Sequence, residues 1–231
     1  MNLYDEQGNF VGRSDDVKIV DDRPHYPIVS SALLRMYNYE VFLVIITCVF
    51  LVTTLAALLA VHTGEASVGL GLLGFYSAVT VIYAIAALVV SILIFLALRE
   101  ASSEAEGYGF AVTLIIISVV FAIIAGLAQF SDTIPASIIA GVLGFLSSYF
   151  IIKTTSDLDV MVGREDLVKT GRTVLALLGI YYGLDTAADI VDAIEGQSSL
   201  NRTLLIVALI FSIVEIVFLL RFYKESGESL G

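Results

Sequence analysis

The chain has 231 residues, 58% of them apolar, with a formal net charge of −11 and a mean hydropathy of +0.93. That balance excludes an ordinary soluble domain, and a polyanion of this kind argues against nucleic acid or anionic lipid as partners. A single cysteine, Cys48, excludes a disulfide framework and a thiolate metal cluster.

Residues 1–29 form a polar, Asp-rich segment. The run from Tyr4 to Val11 predicts a small hairpin around Gln7–Asn9, and Val17 to Val20 a further short strand. A disordered tail is the alternative. Pro24 and Pro27 mark a break, after which Ser30 or Ser31 can cap a helix leading into the first apolar run. No apolar stretch with a small-residue cleavage site precedes that run, so no signal peptide is expected.

Five apolar runs follow, at 41–62, 69–98, 108–130, 135–152 and 202–222. At about 1.5 Å of rise per residue, each is long enough to cross a hydrocarbon core of roughly 30 Å. A sixth segment, 173–194, has spanning length but only interrupted apolar character. The expected fold is therefore all-α, a polytopic bundle of six transmembrane helices over 30–224, with a tail at 225–231. Five spans are the alternative.

Basic residues set the expected orientation. With six spans and both termini inside, Arg13, Lys18, Arg23, Arg35, Arg99, Lys153, Arg164, Lys169, Arg172, Arg221 and Lys224 are cytoplasmic, and only Arg202 is outside. Withdrawing 173–194 from the membrane moves Arg202 inside and Arg221 and Lys224 outside, which satisfies the rule less well. Within 153–172, the sizeable cytoplasmic loop, residues 164–169 are expected to form a brief interfacial helix. Arginine outnumbers lysine and acids occupy nearly every loop. This pattern matches a proteome adapted to high salt, such as that of a halophilic archaeon, and places the chain in the plasma membrane.

The sixth segment carries the candidate chemistry. Asp185, Asp189 and Asp192 fall at i, i+4 and i+7, so at about 100° per residue they share one stripe, which Glu195 extends. Each Asp near mid-membrane costs roughly 2.5–3.5 kcal/mol on insertion, so this helix needs neighbours or water to settle it. Glu215 in the last span joins the set. By helix rise it lies about 20 Å from the outer side, and Asp185 about 18 Å from the inner side.

The five carboxylates thus descend through the bundle, and no Lys or Arg occupies a span centre to neutralise them. Ionisable residues at such depth often mark ion or proton routes. The expected function is a cation or proton channel or transporter, in which Asp185 and Asp189 are the candidate ligands for a hard cation such as Na⁺ or Ca²⁺. The alternative is a non-enzymatic subunit or scaffold of a larger membrane complex, the carboxylates then being solvated or sealed at an interface.

The pair Asp185 and Asp189, in the fifth of six spans, resembles the metal-binding pattern of the cation-diffusion-facilitator family. The resemblance covers this pair alone, because the second span has no Asp, Glu or His. Ser67 to Gly71 echoes a potassium-channel filter, but no pore helix precedes it, and a glycine-rich loop easing helix packing is the expected reading. Phe130-Ser131-Asp132 matches a channel tripeptide in a loop where it has no such use. No hydrolase, zinc-protease or phosphate-loop motif occurs, and His25 and His62 are the only histidines, so catalysis is not expected.

Glycines predict close helix contacts at Gly141 and Gly144, at Gly179 and Gly183, and at 69–74. Such faces favour association with copies of the same chain or with other membrane subunits, within membrane lipid. Asn201-Arg202-Thr203 is a glycosylation sequon abutting the membrane, and it is expected to stay unmodified.

Overall fold

The computed structural model describes residues 2–4, 10–13, 24–62, 66–127, 134–195 and 198–231, with side chains at 24–56, 75, 77–121, 139, 141–192, 194 and 198–231. Two short strands, β1 (Asn2–Tyr4) and β2 (Phe10–Arg13), pair antiparallel, with Asn2 opposite Arg13 and a register shift after Leu3. This is the hairpin expected around residues 7–9, while the strand expected at 17–20 lies outside the described residues. Six helices follow: α1 (Pro27–His62), α2 (Ala66–Ala101), α3 (Glu106–Leu127), α4 (Ile134–Met161), α5 (Glu165–Glu195) and α6 (Ser199–Leu230).

Each helix packs on its neighbours in the chain, α6 returns to α1 to close the ring, and α4 also reaches across to α6. One end of the bundle gathers the start of α1, the α2–α3 and α4–α5 turns and the end of α6. Among the described residues, four segments are long and apolar enough to cross a membrane: Pro27–Ala56, Ser77–Ala101, Glu165–Asp192 and Ser199–Leu230. The chain therefore reads as a multi-pass membrane protein, and α5 qualifies despite its acids. On α6 the apolar residues Ile206, Leu209, Ile210, Ile213 and Val217 are all exposed. Their i, i+3, i+4, i+7 and i+11 spacing is one helix face, suited to lipid. Span hydroxyls are satisfied locally, as where Thr47, Thr54 and Thr113 donate to the carbonyls of Leu43, Phe50 and Gly109.

The helices outlast their apolar runs. Where a cytoplasmic loop was expected at 153–172, α4 continues to Met161, the connection shrinks to residues 162–164, and α5 starts at Glu165. There is thus no separate interfacial helix at 164–169. Gly163 permits the tight turn because its φ of +80° lies in the left-handed region that side chains disfavour. Residues 225–231, expected as a tail, complete α6, with Ser226, Gly227 and Leu230 buried. The segment at 67–71 is likewise helical from Ala66 onward, neither a filter nor a loop.

These extensions build the principal core. Val29, Leu33 and Met36 of α1, Leu98 of α2, Tyr108 of α3, Ile152 and Leu158 of α4, Val174 of α5 and Phe222 and Leu230 of α6 pack together, nearly or fully buried. They lie toward the end that holds the start of α1 and the end of α6. Polar contacts close that end: Glu104 in the α2–α3 turn accepts from the backbone N–H groups of Ile28 and Val29 at 3.0 and 2.9 Å. Those N–H groups would otherwise be orphans of the first helical turn. The Tyr26 amide donates to the Leu230 carbonyl at 2.9 Å, and the Ser30 hydroxyl to that of Gly227 at 2.7 Å. Gly227 is required here, because a Cβ would stand 2.9 Å from Leu34 Cγ.

Candidate functional site

Toward the opposite end, α5 and α6 part around a cavity of about 330 Å³ lined by Ala188, Asp189, Asp192, Asn201, Arg202 and Leu205. The structure thus brings Asp189 and Asp192 together, both exposed, with the basic residue expected outside. Ser198 caps α6 by accepting from the Asn201 amide at 3.2 Å, which sets Asn201 against α5. Its side-chain Nδ2 donates to Asp192 Oδ1 at 2.9 Å. Asn201 is only 6% exposed. Burial and that bond occupy the nitrogen a glycan would need, in keeping with a bare sequon.

One turn deeper, Asp185 is half-buried and lies in the field of Asp189. Tyr181 and Tyr182 lie in the fields of both Asp185 and Glu215, so the two helices face each other through this polar layer. Glu215 is 7% exposed, and its Oε1 has no hydrogen-bond partner. The charge of Glu40 on α1 acts on it. The side chain of Glu195 lies outside the described residues. Among the described residues, no three His, Cys, Asp or Glu side chains converge as a metal ion would require, and Asp185 and Asp189 therefore offer a cation at most a pair of carboxylates.

Polar groups continue toward the termini. Tyr223, 5% exposed, lies in the fields of Glu40, Glu215 and Tyr108. The hydroxyls of Tyr108 and Thr155 share a hydrogen bond of 2.7 Å. One turn further along α4, Asp159 is fully buried and accepts from Ser226 Oγ at 2.7 Å and Ser229 Oγ at 3.1 Å. Asp159 lies about two turns beyond the apolar run of α4. Burial pushes its carboxyl up to about 6, against the pull of the two serine hydroxyls and Arg164 and with a further push from Asp166. Carboxylates and hydroxyls from α5, α6, α1, α3 and α4 thus lie along the bundle, with hydrogen bonds joining Tyr108 to Thr155 and Asp159 to Ser226 and Ser229. No Lys or Arg occurs in 36–98, 100–152, 173–201 or 203–220.

No protein-family model, curated protein or solved structure matches this chain.

Glu40, Tyr108, Tyr223 and Asp159 were not among the residues singled out from the sequence. Glu40 does carry a signal, since it stands at i+7 from Leu33 and i+4 from Met36, both buried. Asp159 stands likewise at i+4 from buried Thr155.

The glycine faces are unequal. A Cβ at Gly144 would come within 2.7 Å of the Tyr182 hydroxyl, and one at Gly141 within 3.3 Å of Thr186 Oγ1, so α4 approaches α5 closely there. Gly179 leaves 3.6 Å to Phe145, while Gly183 meets nothing within 4 Å. Between α4 and α5 lies a second gap of about 350 Å³, lined mostly by apolar residues, with Tyr182 and Thr186 also in its wall. The contacts expected at 69–74 fall outside the described side chains.

Proposed function

We propose that this chain is a six-span membrane protein, both termini cytoplasmic, that passes protons along its buried carboxylate and hydroxyl string. The observation that carries the reading is Glu215, a carboxylate shielded by the bundle, with an oxygen lacking any partner and the charge of another acid, Glu40, acting on it. An unpaired charge in such a place is costly, so the group invites a proton or a cation. A proton suits the surroundings better than a coordinated metal, because the acids are spread over four helices and, among the described residues, do not gather around one point. On this reading Asp192 and Asp189 form the mouth, Asp185, Glu215 and Glu40 the middle, and Tyr223, Tyr108, Thr155 and Asp159 the inner relay. The distribution of Lys and Arg supports the orientation, and the excess of acid over base supports a high-salt archaeal plasma membrane.

The test is flux in proteoliposomes. Asp185→Asn combined with Asp189→Asn should abolish proton uptake while leaving the protein folded. Dependence of uptake on Na⁺ or Ca²⁺ in the parent would replace the proton by that cation. A double variant that conducts like the parent would make these carboxylates structural.

A second reading, a non-enzymatic subunit or scaffold of a larger membrane assembly, is supported by the glycine-edged gap between α4 and α5, where a helix from another copy or subunit can approach closely. Stoichiometric co-purification with other membrane proteins, together with absence of flux, would favour it.

A further inference from the structure

We propose that the last turns of α6, residues 226–231, are a pH-sensitive latch, closed while Asp159 carries a proton and released when it gives that proton up. The latch sits at the end of the bundle that holds the α4–α5 turn. It stands on the geometry there and holds whether or not protons pass along the bundle.

Asp159 and Ser226 are both 0% exposed. Three contacts tie α4 to α6 here. Ser226 Oγ lies 2.7 Å from Asp159 Oδ2, Ser229 Oγ lies 3.1 Å from Asp159 Oδ1, and Ser229 Oγ lies 3.0 Å from the Ser226 carbonyl. A hydroxyl has one proton to give, while a carboxylate and a carbonyl can only accept. Two serine protons therefore cannot fill three contacts. A proton on Asp159 Oδ1 completes the set: it goes to Ser229 Oγ, Ser229 gives its own to the Ser226 carbonyl, and Ser226 gives its own to Oδ2. The ionised carboxylate leaves one contact empty. Among the described residues no Lys or Arg pairs with it, and Arg164 turns its fork to Asp166, at 3.0 and 2.9 Å.

The other polar groups at this end are engaged elsewhere or oppose the charge. Asp166 repels it, Glu225 of α6 draws on Arg164, and the Tyr108 hydroxyl of α3 bonds Thr155. Before α1, Tyr26 gives its hydroxyl to Met161 Sδ at 3.3 Å, and Glu104 of the α2–α3 turn is held by the amides of Ile28 and Val29. A charge kept from water without a partner is costly, and moving the end of α6 off α4 lets water in. The same segment carries the carbonyls of Gly227 and Leu230 on which Ser30 and Tyr26 rest, so its release also frees the start of α1. Burial lifts the Asp159 carboxyl from 3.8 to about 6 in the closed form. A hydrated, open form releases its proton at the ordinary value, so opening becomes easier as pH rises between those limits and levels off above 6.

The experiment is hydrogen exchange of the full chain in nanodiscs from pH 4.5 to 7.5, read by mass spectrometry and corrected for the intrinsic pH dependence of exchange. Protection at 226–231 should fall about tenfold between pH 5 and 7.5, most of it by pH 6. Protection at the start of α1 should fall with it, while residues 205–215 of α6 keep theirs. Asp159→Asn, neutral at every pH, should hold its protection level across the range. The parent's own profile needs no variant. Constant protection at 226–231 in the parent would show that Arg164 had left Asp166 to neutralise Asp159 in place, and would overturn the latch. A fall that persists in Asp159→Asn, or one shared equally by all six helices, would overturn it too. None of these results depends on proton flux, so this proposal and the proton reading can fail separately.

Discussion

Replacing Asp159 by Asn should flatten the pH dependence of stability. Asp159 is fully buried at the end of α4 that packs on α6, where it holds the hydroxyls of Ser226 and Ser229. Burial pushes its carboxyl from the ordinary 3.8 to about 6. The charged and titratable groups around it are Arg164 in the α4–α5 connection, Asp166 in the first turn of α5 and Tyr108 on α3. Between those two pH values the folded protein keeps a proton that the unfolded chain has already released. Stability is therefore greatest below about pH 4, falls as pH rises through 6 and levels off above that. The full loss corresponds to on the order of 3 kcal/mol. Asn is neutral at every pH and nearly isosteric, and it offers the serines one acceptor and one donor group. Thermal unfolding in detergent from pH 4.5 to 8 should show the parent losing several degrees relative to Asp159→Asn, with most of the loss complete by about pH 6 and little change above it. A parent-to-variant difference that stays constant across that range would refute the assignment.

Gly227→Val should destabilise by about 1–3 kcal/mol, because its Cβ would press on Leu34 and Leu33 in a closed core; the melting temperature reports it. Glu104→Ala should cost about 1 kcal/mol by freeing the amides of Ile28 and Val29, and hydrogen exchange should accelerate at the start of α1 before it does elsewhere. Tyr108→Phe should cost roughly 0.5–1.5 kcal/mol of stability for the lost bond to Thr155, and on the proton reading it should also slow flux, which a purely structural hydroxyl would not. Gln197→Cys, in a Cys48→Ala background, should react with a membrane-impermeant reagent in intact cells; protection alongside a labelled loop control would favour five spans.

Much of the helical framework was legible because hydropathy reports what lipid demands. The runs at 41–62, 69–98 and 202–222 each fall on a helix of the bundle, and Asp189 and Asp192 of the acidic stripe line a cavity shared with α6. Hydropathy is silent where a helix leaves the bilayer. There Asp159 and Ser226 read as loop and tail, although packing against Leu33, Phe222 and Leu230 keeps α4 and α6 helical and turns their polar residues inward. Glu40 was passed over for the same reason, since it directly precedes the first apolar run. Its register with Leu33 and Met36 was available in the sequence, but the partner that gives it meaning, Glu215, lies on a helix 175 positions further along the chain. Asn201 was read for its sequon, and only the structure shows its contact with Asp192.

The most direct test of the proton string is the behaviour of Glu215. Purified protein is reconstituted into vesicles holding a pH-sensitive dye, and a potassium diffusion potential is imposed with valinomycin in the absence of Na⁺ and Ca²⁺. The parent should change the internal pH well above the rate of empty vesicles, and Glu215→Gln, equally folded and equally incorporated, should fall to that background. Proton uptake that survives Glu215→Gln unchanged would contradict the account.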